Sequence, residues 1–513
     1  MWTRQAVRAR RQKPKDAAAS ILSFHHSPAD RASLAATCTR LATRDGGLGC
    51  SSYTTHRHAG YASSFHCAHP TLCRVFHTAA NVSIATPSYP STIGFATALS
   101  HITSTLQSVR QRFTSLDTDS RTWVDGTSRS AYHPTIAAAY DLPTLAESFE
   151  GAQSEIRPRF KQCMLSAVLN AHAWLEVKAA CDAFDAANPS ALVPRREATR
   201  LVTYSQAGSG AFLLRVPDVT VQGSIVSSTD YRTVIQRRLG LYISCLADVL
   251  DERCRRGIHA TQHDRLGDAA INATNATARH NAGLQAVYTA LRCSTAAQSA
   301  VKLGDKGDGS PASKAESARR HAWLSDGHIP DIYEIGPPHT IWEFKCYTPF
   351  HLTAALGNGS QRHGGAASTS DGHSFAFGNT EELLRGQVLG LAARGEADER
   401  PLDRRTGVGR IDAKPGDYAD AIRKGTTVHL LVTESSGALS RCTMRMLRAL
   451  AKRAGMPEGH DSTVYGAGRA SPKSFLRHHL SAISSAIVCA DAVAIHARAA
   501  TYAFALTLGA LQF

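Results

Sequence analysis

Two short apolar runs, Ile332–Ile335 and Thr340–Tyr347, stand on either side of Gly336-Pro337-Pro338. Runs of this length, punctuated by glycine and proline, predict a β-hairpin. Side chains alternate along a strand. Ile341, Glu343, Lys345 and Tyr347 therefore share one face of the second strand, and Trp342, Phe344 and Cys346 share the other, which reads as core. A carboxylate and an ammonium are thus aimed at one side of a sheet. Asp331, at the start of the neighbouring strand, is within reach of the same spot.

That placement suits metal-assisted phosphodiester cleavage. Asp331 and Glu343 offer hard oxygen ligands of the kind Mg²⁺ or Mn²⁺ accepts. A metal held there polarises a phosphoryl oxygen and acidifies a bound water. Lys345 is placed to position that water and to stabilise the charge that develops on the phosphoryl group. The bland alternative is an exposed Glu–Lys alternation on an ordinary strand, and E-x-K by itself does not decide between them.

Pro330-Asp331 followed by Glu343-Phe344-Lys345 resembles the signature of the PD-(D/E)xK restriction-endonuclease-like superfamily. The resemblance implies an α/β fold with a restriction-endonuclease-like αβββαβ core, a mixed central sheet flanked by helices, here with helical N- and C-terminal additions. The surrounding chain supplies candidates in that order: a helix over Arg279–Cys293, a strand near Ala318–Leu324, the hairpin, a helix over Thr380–Arg394 and a buried strand over Thr426–Thr433. The family often carries an acid on the first helix. Arg279–Cys293 has none, and Glu316 is the nearest substitute. A basic residue often precedes the Pro-Asp pair; here Ile329 does, with His328 before it.

Upstream, Gly208–Leu241 is similar to the segment that follows the polymerase in non-LTR retroelement proteins, where a Gly-Ala-aromatic-Leu stretch leads into a helix ending Arg-Leu-Gly-Leu. In those proteins a Cys/His zinc module, an Arg-His-Asn tripeptide and the nuclease Pro-Asp come next. The resemblance covers roughly residues 195–350 by motif order. It implies that Arg279, His280 and Asn281 contact nucleic acid, and these residues can indeed hydrogen-bond phosphate at the start of a helix. Cys245, Cys254, His259 and His263 are the corresponding ligands for a structural Zn²⁺. Thiolate and imidazole suit that ion, although the closely paired cysteines of the family pattern are lacking. A degenerate module with Cys245 in a core helix is the competing reading.

With 57 Lys+Arg against 42 Asp+Glu the chain carries +15, which favours a polyanionic partner, DNA or else RNA, through counterion release. No aromatic-x-Asp-Asp polymerase motif, P-loop or Rossmann glycine fingerprint is present. No uninterrupted apolar stretch reaches the ~20 residues of a membrane helix. The nearest, Ala482–Ala494, is broken by Asp491, so no membrane partner is expected. Arg8–Lys15 reads as a nuclear localisation patch, with an Arg/Ala-rich organellar transit peptide as the alternative.

The expected organisation is as follows: residues 1–115 poorly ordered; 130–200 helical; 205–275 a linker helix and possible zinc module; 279–440 the nuclease core; 441–513 helical. The core carries polar insertions at Gly357–Gly378 and Leu402–Asp417. Three functional readings follow: a Mg²⁺-dependent endonuclease, a catalytically inactive nucleic-acid-binding remnant, and a helical interaction protein in which E-x-K is coincidental.

Overall fold

The computed structural model describes residues 22–48, 97–111, 162–188, 196–214, 227–255, 265–348, 384–391, 413–454 and 472–510, with short gaps inside some of these stretches. The chain divides into two compact units, Met1–Ala32 with Asn188–Phe513, and Ser33–Ala187. The predicted Gly357–Gly378 insertion, the Thr380 helix start, and His259 and His263 lie outside the described residues.

A four-stranded mixed sheet forms the centre of the larger unit. Its strands are β1 (Val301–Leu303), β2 (Ile332–Glu334), β3 (Thr340–Tyr347) and β6 (Thr427–Glu434), in the order β1-β2-β3-β6. β2 is antiparallel to both β1 and β3, while β6 runs parallel to β3 over eight residue pairs, Thr340 opposite Thr427 through Tyr347 opposite Glu434. A parallel pair needs a crossover, and the described part of that connection contains a helical turn at 384–389. β4 (Gly390–Leu391) and β5 (Lys414–Pro415) form a separate two-stranded ribbon.

The helices are α1 (Ala29–Cys38), α2 (Gln162–Ala187), α3 (Arg196–Tyr204), α4 (Ser228–Leu239), α5 (Ser244–Arg255), α6 (Asp268–Ala273), α7 (Ala276–Cys293), α8 (Pro311–His321), α9 (Ala419–Arg423), α10 (Arg441–Arg453) and α11 (Pro472–Ala510). The apolar spacing of Phe160–Phe184 becomes α2. Within 1–115, where poor order was expected, α1 and much of 97–111 are helical.

The alternation read from β3 sorts the two cores. Trp342 and Phe344 pack with Leu431 against Val287 and Leu291 of α7, Leu447 and Leu450 of α10, and Ile483 and Ile487 of α11. On the opposite face Ile341, Leu430 and Val432 meet Leu384, Val388 and Tyr418. α10 shows why it lies where it does. Ser440 caps it, its Oγ accepting from Thr443 N at 3.2 Å. Leu447, Leu450 and Ala451 fall on one stripe, and Arg445, Arg448 and Lys452 lie off it. α7 comes unusually close to β3 because Gly283 faces Phe344; a Cβ there would sit 2.6 Å from Phe344 Cζ.

The strand expected near Ala318–Leu324 is not one. Residues up to His321 belong to α8, and the first strand is Val301–Leu303. Ser310, whose Oγ accepts from Ser313 N, and Pro311 in the first turn start that helix. Phe475–Thr507 of α11, which contains Asp491, is long and apolar enough to cross a membrane by length and composition alone. Half of its most apolar 18-residue window is buried, and the helix packs on α7, α4, α5 and α10.

Candidate active site

β3 carries Glu343 and Lys345 on the same face. Glu343 is buried, and Lys345 Nζ donates to its Oε1 at 2.5 Å. Tyr418, at the start of α9 and 75 residues along the chain, donates its hydroxyl to Glu343 Oε2 at 2.8 Å. Both carboxylate oxygens are therefore held. Burial alone would favour the neutral amine of Lys345. The Glu343 charge and hydrogen bond, with the charges of Asp331 and Asp417, outweigh burial and hold the ammonium above its ordinary range. Tyr418 is pushed upward by burial and by the same carboxylates, led by Glu343, so it stays a hydroxyl donor.

Asp331 is 1% exposed at the entrance to β2. Its Oδ2 accepts from Phe344 N at 2.9 Å, which ties it to β3 between Glu343 and Lys345. Asp331, Glu343 and Lys345, singled out in the sequence from residues spaced along a hairpin, are thus brought into one neighbourhood. Tyr418 and Asp417 complete it. Asp417 is held by Gln387, through a 2.8 Å bond from its backbone N–H to the Gln387 carbonyl and a 3.4 Å bond from Gln387 Nε2. His328 lies exposed beside Tyr418, ring centroids 5.6 Å apart. Glu316 is on the exposed face of α8, paired with Arg319, and is no substitute for a helix acid at this site.

The Arg279-His280-Asn281 tripeptide does three separate jobs. It lies inside α7, which begins at Ala276, so it does not mark the first turn. Arg279 is 2% exposed, with Nη1 2.7 Å from Asp491 Oδ1 in α11. The expectation that it contacts nucleic acid fails, because its guanidinium is enclosed and already neutralised. His280 turns toward the site. Its Nε2 lies 3.0 Å from the Phe344 carbonyl and 3.4 Å from Asp331 Oδ2. Asn281 is exposed, its Oδ1 3.3 Å from His280 Nδ1.

Asp491 also meets Arg237 at 3.2 Å, and the buried charges continue through Asp268, Arg200 and Glu197 to Arg31. The Arg-Leu-Gly-Leu segment belongs to this scaffold. Arg238 is buried and donates to the carbonyls of Ser209 and Tyr204. Gly240 caps α4 in the left-handed conformation, where a side chain would collide with Glu197 and Arg200.

The zinc set does not assemble as expected. Cys245 and Cys254 both lie in α5. Nine residues of helix separate their α-carbons by about 13.5 Å along the axis, too far for two thiolates to share one tetrahedral ion. Burial also pushes the Cys245 thiol upward, against the thiolate a metal needs, and the residue packs against the Ile243, Leu246, Leu250 cluster. Among the described residues no group of three or more His, Cys, Asp or Glu is placed to hold a metal ion.

Asp331 and Glu343 are a two-carboxylate oxygen set. Mg²⁺ is commonly held by one or two carboxylates with waters filling the rest of its shell, so the residues present fit that ion. No family model matches the chain, and no curated protein or solved structure shows significant similarity to it.

Proposed function

We propose that the chain is a Mg²⁺- or Mn²⁺-dependent DNA endonuclease of the restriction-endonuclease-like, retroelement type, hydrolysing phosphodiester bonds at Asp331, Glu343 and Lys345. The observation that carries this reading is the convergence of those three side chains at the β2–β3 entrance, with Glu343 gripped by Lys345 and Tyr418. The element order supports it: a helix, three antiparallel strands, a helical crossover, and a final strand parallel to the third is the order the resemblance implies.

Asp331 and Glu343 would hold the metal. When bound, it would polarise a phosphoryl oxygen and supply an acidified water. Lys345, kept charged by its carboxylate neighbours, stabilises the negative charge that builds on the transferring phosphoryl group and orients the attacking water. Tyr418 fixes the Glu343 carboxylate in one orientation. His280 and the Phe344 N–H do the same for Asp331.

A second reading, a nucleic-acid-binding remnant without turnover, draws on the lack of any Asp or Glu in α7. Incubating purified protein with supercoiled plasmid separates the two. The enzyme nicks or linearises it with Mg²⁺ or Mn²⁺ and stops in EDTA. Salt-sensitive DNA binding without cleavage under either metal transfers the assignment to the remnant. Affinity that is flat between low and physiological salt removes both.

A further inference from the structure

The outer edge of β6 is half covered and half open. Thr427 N donates to the His339 carbonyl beyond the start of β3. In a parallel ladder this turns Thr427, His429, Leu431 and Thr433 inward, and Val428, Leu430, Val432 and Glu434 outward. The later outward positions are satisfied within the chain. Val432 N donates to Thr443 Oγ1, Ser440 N donates to the Val432 carbonyl, and Glu434 N donates to the Ala438 carbonyl. No strand among the described residues pairs with the outer edge at Val428 and Leu430.

That open stretch lies in a cleft of about 480 Å³ between α10 and the 384–389 helical turn. Arg385 enters from one face of the sheet and Arg445 from the other. Both are exposed, and both donate to the same Cys442 Sγ, at 3.9 and 3.1 Å, with no carboxylate partner among the described residues. Arg453 closes the end, paired with Glu334. Trp342 also lines the cleft. It is 5% exposed, stacked on His429, and its Nε1 proton has no acceptor among the described residues. The cleft therefore offers an unpaired ladder edge, two guanidiniums that come from elements on opposite faces and converge beside Cys442, and a buried N–H donor without an acceptor among the described residues.

We propose that this cleft docks an acidic, extended peptide segment of another protein, which adds to β6 as a fifth strand. The backbone of the incoming segment pairs with the N–H and carbonyl groups of Val428 and Leu430. Its acidic side chains meet the guanidiniums of Arg385 and Arg445, which converge beside Cys442. The arginines select an acidic segment, and the ladder geometry selects a peptide over a nucleic acid, which has no strand edge to offer.

The test uses the full chain and a fluorescein-labelled octapeptide with a central Glu-Glu pair flanked by valines, read by fluorescence anisotropy. Three controls accompany it: the same peptide with Lys-Lys, the same peptide N-methylated at alternate residues, and a 20-nucleotide single strand. Saturable binding of the acidic peptide is expected. Affinity should fall at least tenfold with Lys-Lys, with N-methylation, and with the double variant R385E/R445E. Val428→Pro removes the edge donor without touching the inner ladder, since proline is tolerated on an edge strand. It should weaken binding as much, with an unchanged circular dichroism spectrum. The proposal is overturned if the acidic peptide does not bind, or if the N-methylated peptide binds equally. It is also overturned if the single strand displaces the peptide and is itself lost in R385E/R445E. A dimer in size-exclusion chromatography that dissociates in R385E/R445E would assign the cleft to a second copy and equally overturn it.

Discussion

Asp491 is the counter-charge on which two buried arginines depend. It lies 1% exposed on α11, with Oδ1 2.7 Å from Arg279 Nη1 and Oδ2 3.2 Å from Arg237 Nη1. Asp491→Ala leaves both guanidiniums enclosed. Arg237 keeps Asp268 at 3.9 Å, but Arg279 has no second carboxylate partner among the described residues. Deleting one partner of a buried pair costs about 3–5 kcal/mol, and roughly 4 kcal/mol is expected here. Urea unfolding of the full chain followed by tryptophan fluorescence measures the loss, and hydrogen exchange across α7 localises it. Replacing Asp491 with leucine and Arg279 with methionine together should recover most of the stability, because apolar groups of similar volume often replace a buried pair at little cost. Arg279→Met alone should leave DNA affinity unchanged. A loss under about 1 kcal/mol for Asp491→Ala, or an Arg279→Met protein with normal stability and weakened DNA binding, would refute the structural role.

Burial pushes the Glu434 carboxyl from 4.5 up to about 8, only partly offset by hydrogen bonds from Tyr347 and Ser436. The folded chain keeps that proton where the unfolded chain has released it, so the contribution is fully present below about pH 4.5 and is lost as pH rises to about 8. At ~1.4 kcal/mol per pH unit this is roughly 5 kcal/mol, and Glu434→Gln should flatten that part of the stability profile in urea titrations. Gly283→Ala drives a methyl into Phe344 and should lower stability by about 1–3 kcal/mol, visible as a lower thermal midpoint. Tyr418→Phe removes one of the two bonds that orient Glu343. The Mg²⁺ concentration for half-maximal plasmid cleavage should rise roughly tenfold, while DNA affinity stays the same.

The sequence was most legible where the pattern is local. β3, β6 and α7 follow from alternation or helical spacing within single segments, and the proximity of Asp331, Glu343 and Lys345 was legible because a hairpin brings near neighbours together. β1 was missed because three residues, two of them exposed, leave almost no pattern. The Ala318–Leu324 misreading had an available remedy in Ser310-Pro311, a helix start that outweighs the apolar end of that stretch. Tyr418 and Asp417 carry no local signal for the site, since their roles depend on a contact across 75 residues. Arg279 misled for the same reason. An arginine in a polar tripeptide reads as a phosphate contact until a carboxylate 212 residues away is placed beside it. The cysteines of α5 were ligand types without ligand geometry. Asp331 also has a structural role. Because its carboxylate accepts the buried Phe344 N–H, Asp331→Ala should cost about 1–3 kcal/mol by orphaning that donor, which makes Asp331→Asn the cleaner probe of chemistry.

The most direct measurement of the central claim is plasmid cleavage by Asp331→Asn, Glu343→Gln and Lys345→Met, run beside their DNA-binding isotherms at fixed salt. The account predicts that all three bind DNA like wild type. The two carboxylate variants lose cleavage at any Mg²⁺ concentration tested, and Lys345→Met keeps the wild-type Mg²⁺ dependence but cuts at least a hundredfold more slowly. Cleavage by all three at the wild-type rate would place the activity elsewhere on the chain and contradict the account.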